Sequence, residues 1–190
     1  MINRASGVRP APAPAALAGC GAEAASGGSW VSAPPSDAPP EPTAPTRLAK
    51  ISSACKILPA SAVVQVLGSS SGTKLKAREL PVDKSDGEVA YTCAYGKDGQ
   101  EPFALTVSTR PDKAAAARTT IDNIAAASGA ETTPVDGVGE AGVGYVSDSI
   151  RIVVVTLPYE DDLRLVLFAA PEIVPQDKLV EVVEQVVEKV

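Results

Sequence analysis

Histidine is absent from this chain of 190 residues, and its absence excludes several kinds of site. Catalytic triads that join histidine to serine or cysteine cannot form, and neither can histidine-based general acid–base catalysis. Zinc sites built from cysteine and histidine are excluded too, since the 3 cysteines are also too far apart for a C-x-x-C motif. Paired carboxylates are the catalytic arrangement that stays open to the chain.

Positive charge and long apolar runs are also scarce. The chain has 17 basic and 23 acidic residues, which gives a formal net charge of −6. Proteins that bind nucleic acid carry basic patches, so no nucleic-acid partner is expected. No apolar run approaches the ~20 residues that a membrane-spanning helix requires. Aromatic residues make up only 4% of the chain, so the core must consist mainly of aliphatic side chains.

Cys20 ends the motif LAGC at residues 17–20, close to the amino terminus. Bacterial lipoproteins are lipidated and cleaved at this pattern, so we predict a signal peptide with a lipobox over residues 1–20. A lipid on Cys20 would then anchor the protein to the extracytoplasmic face of the cell membrane. Residues 10–16 alternate proline with alanine, however, and lack the run of about 7–15 strongly apolar residues typical of a secretory signal. Two explanations therefore compete: either the leader is atypical or its start is misplaced, or the match to the motif is due to chance.

Residues 21–47 form a segment rich in proline, alanine and serine. Such a composition cannot bury enough apolar surface to order itself, so we predict a disordered linker. Its prolines favour extended polyproline geometry at about 3 Å per residue, which gives a reach of up to roughly 80 Å. The segment is therefore predicted to be a spacer between an anchor and a domain.

The number of cysteines agrees with lipidation of Cys20. An odd number of cysteines in an exported protein leaves one thiol unpaired. If Cys20 carries a lipid, Cys55 and Cys93 remain as a pair, and we predict that they form a disulfide in an oxidising compartment. The alternative is two buried free thiols in a cytosolic protein.

Residues 48–190 are predicted to form a single α+β domain, because their number suits one hydrophobic core. Apolar residues at helical spacing predict three helices, over residues 59–67, 111–128 and 179–190. Gly68 and Gly129 follow the first two and are expected to end them. Within the second helix, Arg118 and Asp122 have the i,i+4 spacing of an ion pair.

Strands are predicted between these helices. Alternating or continuous apolar runs predict two hairpins, which pair residues 89–95 with 103–108 and residues 150–157 with 163–169. Incomplete versions of the pattern occur at residues 74–80 and 144–147. The order of elements favours an antiparallel sheet packed by about three helices, preceded by the disordered amino-terminal segment.

Several short motifs match functional sequences but lack the context that those functions need. Residues 137–142 (GVGEAG) match the dinucleotide fingerprint, yet a strand pattern follows where a helix should begin, so we predict a turn that leads into a hairpin. The S-x-x-K matches at 53–56 and 71–74 lack the companion motifs of penicillin-binding proteins. Acidic residues at 83–88 and 160–162 lack calcium-loop spacing and are predicted to be turns. The sequence thus predicts no catalytic residue, metal site or cofactor.

Three groups of residues together resemble one known family. They are residues 55–58 (CKIL) before a short helix, residues 92–95 (TCAY), and residues 135–141 (VDGVGEA) before two strands. From about residue 53 to residue 190, the chain is similar to the actinobacterial lipoproteins built on domain of unknown function 3558. The resemblance implies a lipobox, a Pro/Ser/Thr-rich spacer and a disulfide between the two cysteines, and it implies no catalytic residues.

Three hypotheses on function follow from these patterns. The first is a non-enzymatic lipoprotein, anchored through Cys20, that binds an envelope lipid, glycan or protein, or serves as an accessory or sensor module. The second is a small secreted hydrolase, which would need a cleft holding a pair of carboxylates with at least one perturbed pKa. The third is a soluble cytosolic protein whose LAGC motif is a chance match.

Overall fold

The structure is a computed structural model that describes residues 47–68, 74–97 and 99–190. The predicted signal peptide with Cys20, and the predicted linker up to residue 46, lie outside these described residues. An antiparallel sheet of eight strands and four helices forms the described part of the chain, which confirms the predicted α+β class. None of the helices in this part has the length and apolarity needed to cross a membrane.

Three of the four helices were predicted from the sequence. The helices are α1 (Ala54–Ile57), α2 (Ala60–Leu67), α3 (Ala117–Ser128) and α4 (Gln176–Val187). Helix α1 was not predicted, because four residues are too few to show a helical period. Helices α2 and α3 end as predicted at Gly68 and Gly129, whose φ angles of 64° and 62° lie in the left-handed region. A short 3₁₀ helix (Ala114–Ala116) precedes α3, in place of the first turn of the helix predicted from residue 111.

The strands form one sheet with the order β1-β3-β4-β8-β7-β6-β5, and β2 pairs with β3 beside β1. They are β1 (Lys76–Glu79), β2 (Asp83–Ser85), β3 (Glu88–Lys97), β4 (Gln100–Arg110), β5 (Thr132–Pro134), β6 (Ala141–Ser147), β7 (Ile150–Tyr159) and β8 (Asp162–Pro171). Both predicted hairpins, β3–β4 and β7–β8, are present. Residues 83–88, predicted to be a turn, instead contain strand β2, and the turn itself narrows to Asp86 and Gly87, which have φ angles of 52° and 76°.

Helices cover both faces of the sheet, and the larger core lies on one of them. Helices α1, α2 and α4 pack there against a face that includes Leu105 and Phe168. The buried residues of α4 are Leu179, Val182, Val183 and Val186, which lie on one face as the apolar spacing over residues 179–190 predicts. Helix α3 packs against the opposite face, where Ile121 meets Val143 and Val154. Successive side chains of a strand point to opposite faces, so strands β7 and β8 supply apolar residues to both cores.

The predicted pair between Arg118 and Asp122 is wrong. Arg118 instead binds Glu140, with 2.9 Å between its Nη2 atom and the Glu140 Oε1 atom. Glu140 lies in the loop before β6, 22 positions further along the chain. The i,i+4 spacing on a helix predicts only local pairs, and here a carboxylate from another element lies closer.

Candidate functional site

Cys55 and Cys93 are joined by a disulfide, the pairing that the cysteine count predicts. Their Cα atoms lie 5.0 Å apart, and the bond links residues that are 38 positions apart in the chain. Cys93 is buried in strand β3, whereas Cys55 lies on the short helix α1. The bond therefore fixes α1 to the sheet. A loop of this length corresponds to a stabilisation of about 4 kcal/mol when treated as lost entropy of the unfolded chain.

Ser53, in the first S-x-x-K match, has a structural role at the start of α1. Its hydroxyl accepts a hydrogen bond from the Lys56 amide at 3.2 Å and donates one to the Glu79 carboxylate at 2.6 Å. The same carboxylate accepts from the Ala54 amide at 2.9 Å. Ser53 therefore caps the helix, and Cys55, between Ser53 and Lys56, is held in the disulfide. Residues 71–73 of the second match lie outside the described residues.

Residues 137–140 of the glycine-rich match lie in the loop between β5 and β6, and residues 141–142 begin β6, as the strand pattern after them predicts. Strand β6 follows directly, so no helix amino terminus faces the loop as nucleotide binding would require. Gly139 has a φ of 69°, and a Cβ atom there would lie 2.5 Å from the Thr156 carbonyl oxygen. The Glu140 amide donates to that same carbonyl at 2.8 Å. These glycines thus let the loop pack closely against β7.

A groove of about 600 Å³ lies between this loop and helix α3. Its border includes the carboxylates of Asp122, Asp136 and Glu140, so this groove is the candidate position for a catalytic carboxylate pair. Glu140 is held in an ion pair with Arg118, so one of these three carboxylates already has a cationic partner. Among the described residues, this lining has no buried polar side-chain atom without a hydrogen-bond partner. The described chain also contains no group of three or more acidic or cysteine side chains that could hold a metal.

Arg164 is the most unusual charged residue of the described chain. It is the third residue of β8 and shares a strand face with Val166 and Phe168, so its side chain points toward the interior. Only 2% of its surface is exposed. The segment before α1 lies against it, and the Ala49 carbonyl accepts a hydrogen bond from the Arg164 Nη2 atom at 3.1 Å.

The guanidinium of Arg164 is only partly satisfied by its neighbours. Its Cζ atom lies 3.5 Å from the centre of the Tyr159 ring, which is a favourable cation–π distance. Its Nε and Nη1 atoms are buried and have no hydrogen-bond partner. Burial lowers the pKa of Arg164, an effect that the nearby Tyr159 and Asp162 oppose. Arginine nevertheless remains protonated in proteins, so a positive charge is held here with two of its nitrogens unpaired.

A pocket of about 340 Å³ adjoins Arg164. Its polar lining comes from Lys50, Lys84, Tyr91, Thr109 and Asp162. Arg47 lies close enough for its charge to act on Arg164. Three basic side chains and one acidic side chain therefore line this pocket, and Arg47 adds a fourth positive charge near Arg164, although the chain as a whole has a net charge of −6. We take this pocket as the candidate site, in preference to the larger groove, because it alone contains a buried and unpaired charge among the described residues.

The sequence contained one signal for this pocket that was missed. Arg164 interrupts the apolar run of β8, and counting by twos places it with Val166 and Phe168 on the face that becomes the core. The other basic groups could not be predicted to gather there. They come from the segment before α1 and from β2, which only the folded chain brings beside β8.

No protein-family model matches the chain, and no curated protein matches it either. Among solved structures, the extracellular domain of PknH from Mycobacterium tuberculosis is similar to it, with a TM-score of 0.36. The sequence identity is 13%, and the alignment covers 69% of this chain and 90% of that chain. The resemblance to the lipoproteins with domain of unknown function 3558 therefore stays a prediction.

Proposed function

We propose that this chain is an extracytoplasmic lipoprotein, anchored in the cell membrane by a lipid on Cys20, that displays the domain of residues 48–190 beyond the linker. The domain binds an envelope component and catalyses no reaction. We also propose that it belongs to the actinobacterial lipoproteins built on domain of unknown function 3558, on the strength of the motifs at residues 55–58, 92–95 and 135–141.

The observation that carries this proposal is the disulfide between Cys55 and Cys93. Disulfides persist in oxidising compartments and are rare in the cytosol, where thiols are kept reduced. Pairing these two residues leaves Cys20 as the remaining cysteine, in the motif where a lipid would be attached. The composition of residues 21–47, typical of a flexible spacer, supports the same arrangement.

Binding, and not catalysis, is the activity that the described residues favour. The chain has no histidine, and Glu140, which borders the groove beside α3, is paired with Arg118. The pocket beside Arg164, in contrast, holds donors and positive charge without a matching acceptor. Nothing in the described part of the chain favours the hydrolase hypothesis over a binding domain.

Cell fractionation of the native host tests the anchoring. We expect the wild-type protein in the membrane fraction, and a Cys20→Ser variant outside that fraction. A Ser29→Ala variant, also in the amino-terminal region, is the matched control and should remain with the membrane. If wild-type protein appears in the cytosol and its cysteines react with a thiol reagent under non-reducing, denaturing conditions, the proposal is wrong and the cytosolic hypothesis is right.

Native mass spectrometry tests the binding. Protein taken from its own envelope and kept folded should carry additional mass from a co-purified lipid, glycan or protein. The additional mass should disappear on denaturation, since the proposed ligand is not covalently bound. Repeated recovery of the mature protein without any such mass would count against binding and would favour a spacer or scaffold role.

A further inference from the structure

Arg164 has a charge that the described chain leaves incompletely compensated. Arginine is rarely buried unless it is paired, because removing a charge from water costs several kcal/mol. Arg164 is 2% exposed, donates one hydrogen bond to the Ala49 carbonyl and stacks on Tyr159. Neither contact supplies a negative charge. The Nε and Nη1 atoms, which belong to different edges of the guanidinium, have no acceptor.

The surroundings of Arg164 increase the positive charge. Lys50 and Lys84 are exposed at the rim of the adjoining pocket, and Arg47 lies near. Asp162 is the acidic residue of the lining, and it acts on Arg164 by charge attraction and not by a hydrogen bond to the unpaired nitrogens. A site with this excess of cations favours a ligand with more than one negative charge.

A guanidinium flanked by lysines matches the chemistry of phosphate. Arginine N–H groups donate charge-assisted hydrogen bonds to phosphate oxygens, and lysine adds charge without a fixed direction. A singly charged carboxylate would accept the same hydrogen bonds but would leave more of the surrounding charge uncompensated. The hydroxyls of Tyr91 and Thr109 line the same pocket and can donate to further oxygens.

We propose that the pocket beside Arg164 binds a phosphate group of an envelope molecule. This deepens the proposed function and rests on it only for the source of the ligand. A phosphate oxygen accepts a hydrogen bond from Nη1 of Arg164, and Lys50 and Lys84 close the site. Because Nη1 is buried, the ligand reaches it when residues 49–50 shift. Ala49 is held to Arg164 by one hydrogen bond, whereas Ile51 stays anchored in the core.

Titration with inorganic phosphate, followed by nuclear magnetic resonance, tests the site itself. The protein is the full-length chain with Cys20→Ser, so that the result does not depend on lipidation. We expect the Arg164 Nε–H signal to shift in a saturable manner, and acetate to shift it far less at equal ionic strength. A signal that does not respond to phosphate, or responds equally to acetate, would overturn the proposal even if the protein proves to be a lipoprotein.

Variants show whether the affinity comes from this pocket. Lys84→Gln should weaken phosphate binding about two- to fivefold, as expected for an exposed charge near the ligand. Lys76→Gln makes the same charge change on β1, away from the pocket, and should leave the affinity unchanged. Arg164→Gln should weaken binding at least about tenfold. If Arg164→Gln fails to fold, the comparison of Lys84→Gln with Lys76→Gln decides, and equal effects of these two would refute the site.

Vesicles distinguish a lipid headgroup from a soluble phosphate compound. Vesicles of phosphatidylglycerol present a phosphate with net negative charge, whereas those of phosphatidylcholine present a neutral headgroup. Binding to the first that is lost in Lys84→Gln and retained in Lys76→Gln supports the proposal with a lipid as source. Binding of glycerol phosphate without binding of vesicles supports it with a soluble or glycan-borne phosphate as source.

Discussion

Glu79 and Cys93 lie directly opposite each other in strands β1 and β3, and both hold helix α1. Cys93 does so through the disulfide to Cys55. Glu79 does so through its carboxylate, which accepts hydrogen bonds from the amides of Ala54 and Cys55 at 2.9 and 3.2 Å. The neighbouring residues Glu79 and Cys93 therefore anchor the short helix in two ways, by a covalent bond and by hydrogen bonds to the amides at its start. A helix of four residues depends on such contacts, since it is far too short to be stable alone.

Removal of the disulfide should destabilise the domain strongly. The double substitution Cys55→Ala and Cys93→Ala frees a loop of 38 positions in the unfolded chain, and we expect a loss of about 4 kcal/mol in the free energy of unfolding. Urea denaturation of both proteins measures this difference. Reductant should lower the wild-type midpoint and leave that of the variant unchanged. Equal midpoints for wild type and variant would show that the bond has no part in stability.

Loss of the Glu79 carboxylate should weaken the start of α1. Glu79→Gln replaces two acceptor oxygens by one, so that the amides at the helix start or Ser53 lose a partner. The expected cost is about 1–2 kcal/mol in the free energy of unfolding. Glu131→Gln, at an exposed position before β5, makes the same chemical change and should cost under about 0.5 kcal/mol. Urea midpoints of the two variants provide the comparison, and equal losses would mean that Glu79 does not cap the helix.

Tyr95 should make the domain sensitive to alkali. Its hydroxyl donates to the Leu58 carbonyl at 2.7 Å, and burial, followed by the charge of Glu79, raises the pKa of this phenol above its usual value near 10. Above pH 10 the unfolded chain loses this proton while the folded chain keeps it. Stability is therefore complete below pH 10 and falls as the pH rises above it, by up to about 1.4 kcal/mol per pH unit.

The variant Tyr95→Phe isolates this contribution. It should be less stable than the wild type at pH 7 by about 1–3 kcal/mol, because the Leu58 carbonyl loses its donor. Its free energy of unfolding should nevertheless fall less steeply between pH 10 and pH 11, where one proton fewer is involved. Parallel pH profiles for the two proteins would contradict the raised pKa of Tyr95.

Alanine substitutions at Gly137 and Gly139, in the loop before β6, should lower the stability of the domain by different amounts. Gly139→Ala places a Cβ atom 2.5 Å from the Thr156 carbonyl oxygen at a φ of 69°, so we expect a loss of about 2 kcal/mol or more. Gly137→Ala has a similar φ of 79° but open space around it, and it should lose only about 1–2 kcal/mol from backbone strain. Thermal or urea unfolding measures both. A Gly137→Ala loss as large as that of Gly139→Ala would mean that the loop is not packed tightly against β7.

Periodicity was sufficient to predict most of the fold, because the apolar pattern of each long element records which face is buried. Helix α4 shows this best, since the predicted stripe contains its buried residues Leu179 and Val183. Periodicity did not predict elements that are short, or elements whose stabilising contacts come from residues distant in the sequence. Helix α1 depends on Glu79 and Cys93, neither of which is near it in sequence. Strand β6 begins three residues earlier than the pattern indicates, because Gly142 interrupts the apolar alternation while still pairing with β7.

The candidate pocket was harder to predict than the fold. A charged residue on the core face of a strand, as at Arg164, is visible in the sequence once the strand is placed. The cluster around it is not, since Lys50 and Lys84 come from separate segments and approach Arg164 only through tertiary folding. The disulfide was easier to predict from the sequence. If Cys20 belongs to a lipobox, the other two of the three cysteines can pair in only one way.

The mass of the intact mature protein, extracted from membranes of the native host without reduction, tests both the lipid anchor and the extracytoplasmic location. We expect a chain that begins at Cys20, carries additional mass from attached acyl groups, and gains two hydrogens on reduction as the bond between Cys55 and Cys93 opens. A chain that begins at Met1, without added lipid and without change on reduction, would contradict both the anchor and the extracytoplasmic location.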